Sequence, residues 1–412
     1  MSEQTSYDLA VIGTGPSGVC AAGFGARLGA RVVLIDMSAS RKASGYFFGG
    51  HQVDTIGGKV SLMAHHQLKI GTRLITAKKI IIVGGSKAHI PASIGVKKVA
   101  YYTSDTLHEL AKPPRHLVIL GGGPTGVIQA FAFATRGSRV SLIEHNSHIL
   151  SSVDADARQL VVERLRLSGV TIYASAIVPR LTAKGKITNV HISQFNAALE
   201  LSTDAVLIAT GRVPLLPTGL RAAGVHKNDR GILVNDHWQT TNHDIYAIGE
   251  SVAAPTGCEQ AAEQATLCAL GGAAKTWHVA IRPYVLQVSP TVAQVGPTET
   301  WLQLEDVAYS TYHLDFSDID DADHGPGFIK VLVGARGNII SATIAGQSAG
   351  ELIGYFAGAI EHSQKLSSLH TLPIPTSTIA SGIRQIALQA YFDEIDRPSW
   401  SWRLLHTLRA KI

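Results

Sequence analysis

A chain of 412 residues is long enough for two or three domains. With 45% hydrophobic and 16% charged residues it can bury real cores and is not disordered by composition. A net charge of +5 is too weak for a nucleic-acid surface, and three cysteines exclude a disulfide scaffold and fit a reducing compartment.

The N-terminus carries Glu3 where a signal peptide wants basic residues. Its first apolar run, residues 9–12, suits only a strand, and no run reaches the roughly 18 apolar residues of a spanning helix. These features predict a soluble, cytoplasmic protein. Residues 7–36 then read as strand (9–12), glycine turn, helix (17–28, ended by Gly29), strand (32–35) and an acid, Asp36. Residues 115–144 repeat this without a gap: strand 117–120, helix 125–136 ended by Gly137, strand 140–143, and Glu144. Gly13, Gly15 and Gly18 match Gly121, Gly123 and Gly126, with Pro16-Ser17 and Pro124-Thr125 between.

That pattern is the dinucleotide fingerprint. The first glycine makes the tight turn, the second lets the backbone approach a pyrophosphate, and the third packs helix against strand. The helix N-terminus offers unpaired N–H groups and a positive dipole to the phosphates. The terminal acid accepts hydrogen bonds from a ribose diol. A lone glycine turn says little, but two copies with their acids imply two dinucleotides, and the usual reason is electron transfer from a nicotinamide to a flavin.

With these motifs in place, the chain resembles the flavoprotein disulfide reductases, the family of dihydrolipoyl dehydrogenase, glutathione reductase and mercuric reductase. Residues 79–86 (KIIIVGGS) and 204–214 (DAVLIATGRVP, with Gly211) are similar to its two Ala-Thr-Gly strand ends. Residues 239–251 (QTTNHDIYAIGES) are similar to its flavin-return segment, and 290–299, 327–331 and 339–353 to its interface domain. The resemblance implies an α/β protein. Two Rossmann-like domains would bind FAD (1–112 and 245–281) and NAD (113–244), and an α+β dimerisation domain (282–412) would form a homodimer. It implies FAD contacts at Gly13, Gly15, Pro16, Ser17, Gly18, Asp36, Gly85, Gly249 and Glu250. NAD contacts would be Gly121, Gly123, Thr125, Gly126, Glu144 and Gly211. Glu250 stands where the family's aspartate holds the flavin ribityl chain. NADH is expected over NADPH, because Glu144 would repel a 2′-phosphate and His145 and Asn146 offer no fixed positive charge.

The departures from that family bear on function. Residues 37–73 are short and contain no cysteine, so the redox helix with its Cys-x4-Cys pair and its lysine is missing. The lysine's glutamate partner corresponds to Ile128, and the aromatic gate to Pro124. The His-Pro-Thr-x-x-Glu acid/base motif reads from Ile374 to Ile379, both ends apolar. Cys20, Cys258 and Cys268 lack the spacing of a redox pair or a metal site, and neighbouring His65 and His66 read as solvated. In residues 400–412, Leu404, Leu405, Leu408 and Ile412 share a helical face among basic residues, with Trp400 and Trp402 ahead of them. Such a helix suits a weak membrane-surface contact, or the plainer role of packing on its own domain or a dimer partner.

The expected function is therefore hydride transfer from NADH to FAD and on to a small-molecule acceptor that is not a disulfide: a quinone, dioxygen or a metal ion. The alternative is a non-catalytic nucleotide-binding relative. A thiol-dependent reductase of the dihydrolipoyl dehydrogenase type fits less well, and no catalytic side chain is assigned.

Overall fold

The computed structural model describes residues 5–37, 46–48, 50–63, 66–96, 99–185, 187–253, 259–271, 282–319 and 324–396. His65, Cys258 and the basic tail at 400–412 lie outside them. The chain divides into two compact units, Met1–His89 with Arg212–His278, and Ile90–Gly211 with Val279–Ile412.

The first unit is built on a sheet whose centre is the first fingerprint. Strand Thr5–Ile12 lies parallel between Val32–Asp36 and Arg73–Ile82, with Leu9 opposite Val32 and Lys79. Val32–Asp36 is buried at every position, as a parallel strand covered on both faces must be. Helix Pro16–Arg27 starts one residue before its expected place because Pro16 takes the first helical position, where its missing N–H has no partner to lose. Pro124 does the same for helix Pro124–Thr135. Both helices end before a left-handed glycine, Gly29 (φ 85°) and Gly137 (φ 86°). Between Asp36 and Arg73 the described residues hold strands and no helix. His51–Gly57 pairs parallel with Val32–Asp36, and Val60–Leu62 and Gln67–Ile70 form an antiparallel hairpin that joins Arg73–Ile82. Strand Ile245–Ala247 adds to the far side of Arg73–Ile82 in parallel, and Arg212–Pro214 pairs with Ser86–Ala88.

The second unit holds the repeat. Strand His116–Leu120 is flanked in parallel by Arg139–Ile143 and Ala205–Ile208, with Val170–Tyr173 and Tyr102–Thr103 at the edges. An antiparallel meander, Ala176–Lys184, Ile187–Gln194 and Ala197–Thr203, returns the chain to Ala205. The C-terminal part is a five-stranded antiparallel sheet, from Tyr284–Leu286 to Ser310–Asp315 at its edges. Helices Ala349–Glu361 and Ser381–Asp396 supply Phe356, Ile383 and Ile386 to its core beside Phe316. A fully buried phenylalanine such as Phe356 contributes about 2–3 kcal/mol. This α/β architecture, two Rossmann-like parts with an α+β C-terminal part, matches the expected fold class.

Candidate functional site: two dinucleotide clefts

Each fingerprint opens onto a cavity inside its own unit. The first, of about 880 Å³, is lined by Gly13, Gly15, Asp36, Gly84, Gly85 and the hairpin residues Lys59, Ser61 and Lys69, among others. The second, of about 410 Å³, is lined by Gly121, Gly123, Thr125, Glu144, His145 and Gly211, among others.

The glycines divide their work as the chemistry requires. A Cβ on Gly13 would strike the Val83 carbonyl, and one on Gly121 the Ala209 carbonyl, so these turns admit no side chain. A Cβ on Gly18 or Gly126 would strike the carbonyl of Gly13 or Gly121, so the third glycine serves close packing and does not line the cavity. Gly15 and Gly123 face open space. Both are helix N-caps without a side-chain cap, which leaves first-turn N–H groups free of a capping side chain. Pro124 and Thr125 line the second cavity, whereas Pro16 and Ser17 are not among the residues lining the first. A dinucleotide pyrophosphate fits this cradle in both units.

Asp36 ends its strand 4% exposed and lines the first cavity. Sequence reasoning missed three further groups there. Along Val60–Leu62 and Gln67–Ile70, Val60, Leu62, Leu68 and Ile70 point into the core. The pleat therefore turns Lys59, Ser61 and Lys69 to the cavity, with Ser61 and Lys69 directly paired. The alternation was readable, but not which face met a cleft.

The flavin-return turn is tied down by its own side chains. Gly84 N–H donates to Ser251 Oγ at 2.7 Å, and Ser251 is fully buried. Gly249 takes φ 67°. Glu250 does not line the cavity; its Oε2 accepts from Ser86 Oγ at 2.6 Å and its Oε1 lies 3.4 Å from Arg212 Nε. Arg212 also donates to the Ser86 carbonyl at 2.8 Å. The extra methylene of Glu250 thus reaches a serine–arginine pair beside Gly85.

In the second cleft Glu144 is nearly buried, with 7% of its side chain exposed. Its Oε2 accepts from Gly122 N–H at 2.6 Å, and its Oε1 from Asn146 N–H at 2.8 Å. His145 Nδ1 lies 2.9 Å from the same Oε1, and its side chain is 73% exposed. The carboxylate therefore holds the glycine turn and lines the cavity at once.

Neither described cysteine lines a cleft. Cys20 and Cys268 sit on helices Pro16–Arg27 and Glu259–Ala269, and burial pushes the Cys268 thiol above its ordinary value. Ile128, Ile374 and Ile379 pack against apolar clusters, while Pro124 lines the second cavity. His66 is not merely solvated: its Nε2 lies 3.3 Å from Asp244 Oδ2. Among the described residues no His, Cys, Asp and Glu cluster is placed to hold a metal ion, and no helix is long and apolar enough to cross a membrane.

Two nucleotide cradles followed by an antiparallel α+β part define a pyridine-nucleotide flavoprotein architecture, and comparison with known proteins agrees. The pyridine nucleotide-disulphide oxidoreductase profile matches residues 47–282, and the dimerisation domain of the same family matches 282–384. The chain belongs to that family, whose members are NAD(P)H-dependent flavin oxidoreductases. It is 27% identical over 344 residues to mercuric reductase of Bacillus cereus, an alignment covering 81% of this chain and 54% of that protein. The chain thus spans about half the length of that relative. It is 26% identical to dihydrolipoyl dehydrogenase 3 of Pseudomonas aeruginosa, over 84% of this chain and 77% of that one. Its fold is similar to the Cu(II) complex of the HOCl-induced flavoprotein disulfide reductase RclA from Escherichia coli. That match has a TM-score of 0.81 at 23% identity and covers 94% of this chain and all of the other.

Proposed function

We propose that this protein moves a hydride from NADH to FAD and passes the electrons to a small-molecule acceptor without a thiol relay. The observation that carries this reading is the pairing of two complete dinucleotide cradles with an active-site segment, residues 37–73, that has no cysteine. FAD, when bound, supplies the hydride acceptance and the onward delivery of electrons. The chain's own residues bind and orient. Gly13, Gly15 and the helix beginning at Pro16 receive the FAD pyrophosphate, and Asp36 takes its adenosine ribose. Lys59 and Lys69 add positive charge to that wall. Gly121, Gly123 and Thr125 receive the coenzyme phosphates, with Glu144 at its ribose and Gly211 at the cavity wall. The Glu250–Ser86–Arg212 cluster and Ser251 fix the turns at Gly85 and Gly249. NADH is the favoured coenzyme because a carboxylate beside the ribose repels a 2′-phosphate.

Quinones, dioxygen and metal ions remain the acceptor classes. The mercuric reductases among the relatives, and a similar structure described as a Cu(II) complex, favour including metal ions. Nothing titratable replaces the histidine and glutamate of the family's acid/base motif, so no proton-holding partner for a thiolate stands at Ile374 or Ile379. A homodimer through the C-terminal domain goes with the match to the dimerisation domain. The test is NADH-dependent reduction of a quinone, dioxygen and Cu(II), measured on the FAD-loaded protein. Turnover with at least one of them, and none with lipoamide, supports the reading. The reverse result would make the protein a thiol-dependent reductase. The engaged Glu250 carboxylate favours one second reading, a nucleotide-binding relative that does not turn over, and failure with every acceptor would select it.

A further inference from the structure

The second cleft holds one arrangement that its role as a coenzyme site does not account for. Glu144 Oε1 accepts from the Asn146 N–H and also meets His145 Nδ1 at 2.9 Å. A carboxylate can only accept, so Nδ1 carries a hydrogen in either protonation state of the ring. The atom that gains or loses a proton is therefore Nε2, at the far end of a ring that is 73% exposed and lines the cavity. With Nε2 bare, the pair presents a net negative charge and an acceptor to the ribose 2′ side. With Nε2 protonated, it presents no net charge and a cationic donor.

We propose that His145 makes the choice between the phosphorylated and unphosphorylated coenzyme depend on pH, discriminating against a 2′-phosphate when neutral and admitting it when protonated. This rests on the reading of the second cleft as the coenzyme site. Discrimination at a phosphate is a difference of affinities set by the charge opposite it, and cancelling the pair's net negative charge removes the repulsive element. His145 is the group able to do this. The other titratable side chains lining the cavity are Glu144 and His148, and segments 91–94, 176–178 and 209–211 give its wall only uncharged residues. Glu144 is bonded to two backbone N–H groups in the turn. Among the described residues His148 makes no hydrogen bond or ion pair with the carboxylate.

The experiment is calorimetric titration of the full-length protein with NAD+ and NADP+ between about pH 8 and about pH 5.5, the range in which imidazole changes charge. The readout is the ratio of the two dissociation constants, so changes common to both coenzymes cancel. The phosphate monoester itself titrates near pH 6, so the slope is judged against His145→Asn, which keeps a donor towards Glu144 but cannot titrate. Relative NADP+ affinity should rise on acidification about fivefold more in the native protein than in His145→Asn, as a charge contact at a partly exposed site allows. His145→Arg should hold the acid-side ratio at every pH. An equal slope in native protein and His145→Asn overturns the proposal, and so does a slope abolished by His148→Asn alone. If NAD+ binds in neither the native protein nor the variants, the reading of the cleft fails as well, whereas normal NAD+ binding with an unchanged slope sinks only the role of His145.

Discussion

Glu144 meets two demands with one carboxylate. Its backbone partners at Gly122 and Asn146 shape the glycine turn, and its charge lines the second cavity, where we propose the coenzyme ribose lies. Glu144→Ala should weaken NADH binding and raise the relative use of NADPH about tenfold, by removing a charge close to the 2′ position. Steady-state kcat/KM for the two coenzymes checks this, and an unchanged preference would refute the assignment. A second residue-scale feature is structural. Lys330 is buried, with Nζ 3.1 Å from Asp154 and 2.7 Å from Asp156, and it also bonds Glu299. Burial alone would raise the Glu299 carboxyl, but the bonds from Lys330 and Tyr309 outweigh it and hold it below its ordinary value. Burial likewise pulls Lys330 down, and its acidic partners outweigh that and raise it. A depressed carboxyl contributes stability that is fully present above its unfolded value and is lost as pH falls through the folded one. A raised lysine contributes stability below its unfolded value and loses it only in strong alkali. At neutral pH both contributions are intact, so Lys330→Met should cost about 3 kcal/mol or more by stranding buried Asp154. Protonated carboxyls no longer need the cation, so the penalty should shrink below the ordinary carboxyl range. Urea melts at neutral pH and at about pH 3, below the ordinary carboxyl range, would show it, and an equal loss at both would contradict the electrostatic account.

At the scale of elements, both fingerprints were legible because their constraints are local. A glycine turn, a proline at the first helical position and an apolar run fix strand, turn and helix without help from the rest of the chain. The one-residue error at Pro16 and Pro124 came from placing the helix start after the proline. Helix Ala349–Glu361 is likewise set locally, by its apolar face. What the sequence hid depends on pairing across the fold. Lys59, Ser61 and Lys69 reach the first cavity only because the Val60–Leu62 hairpin buries its other face. The grip of Ser86 and Arg212 on Glu250 joins residues more than 120 positions apart in part. The absence of a cysteine pair was visible in residues 37–73, and the described part of that segment holds strands. Its consequence is a prediction: replacing Cys20, Cys258 and Cys268 with serine should leave NADH-dependent acceptor reduction within about twofold of native, since neither described cysteine lines a cleft and desolvation raises the Cys268 thiol away from its reactive thiolate form. A collapse of turnover in a folded, FAD-loaded triple variant would reveal a redox thiol.

For the molecule as a whole, the dimerisation-domain match and the exposed Tyr355, Tyr391, Phe392 and Ile395 in the C-terminal part go together. Large apolar groups left at the surface of such a domain suit an isologous interface. We predict a homodimer at micromolar concentration that persists in moderate salt, because burial of apolar area is barely screened. Light scattering that returned the mass of one chain would refute it.

The central claim is that NADH reduces flavin held by this chain with no thiol between donor and acceptor. An absorption spectrum of the purified protein, followed by anaerobic addition of NADH, tests it most directly. The account predicts flavin bands that bleach on NADH addition, equally in the native protein and in the variant without cysteines. A colourless protein that cannot be loaded with FAD, or bands that NADH leaves unchanged, would contradict it.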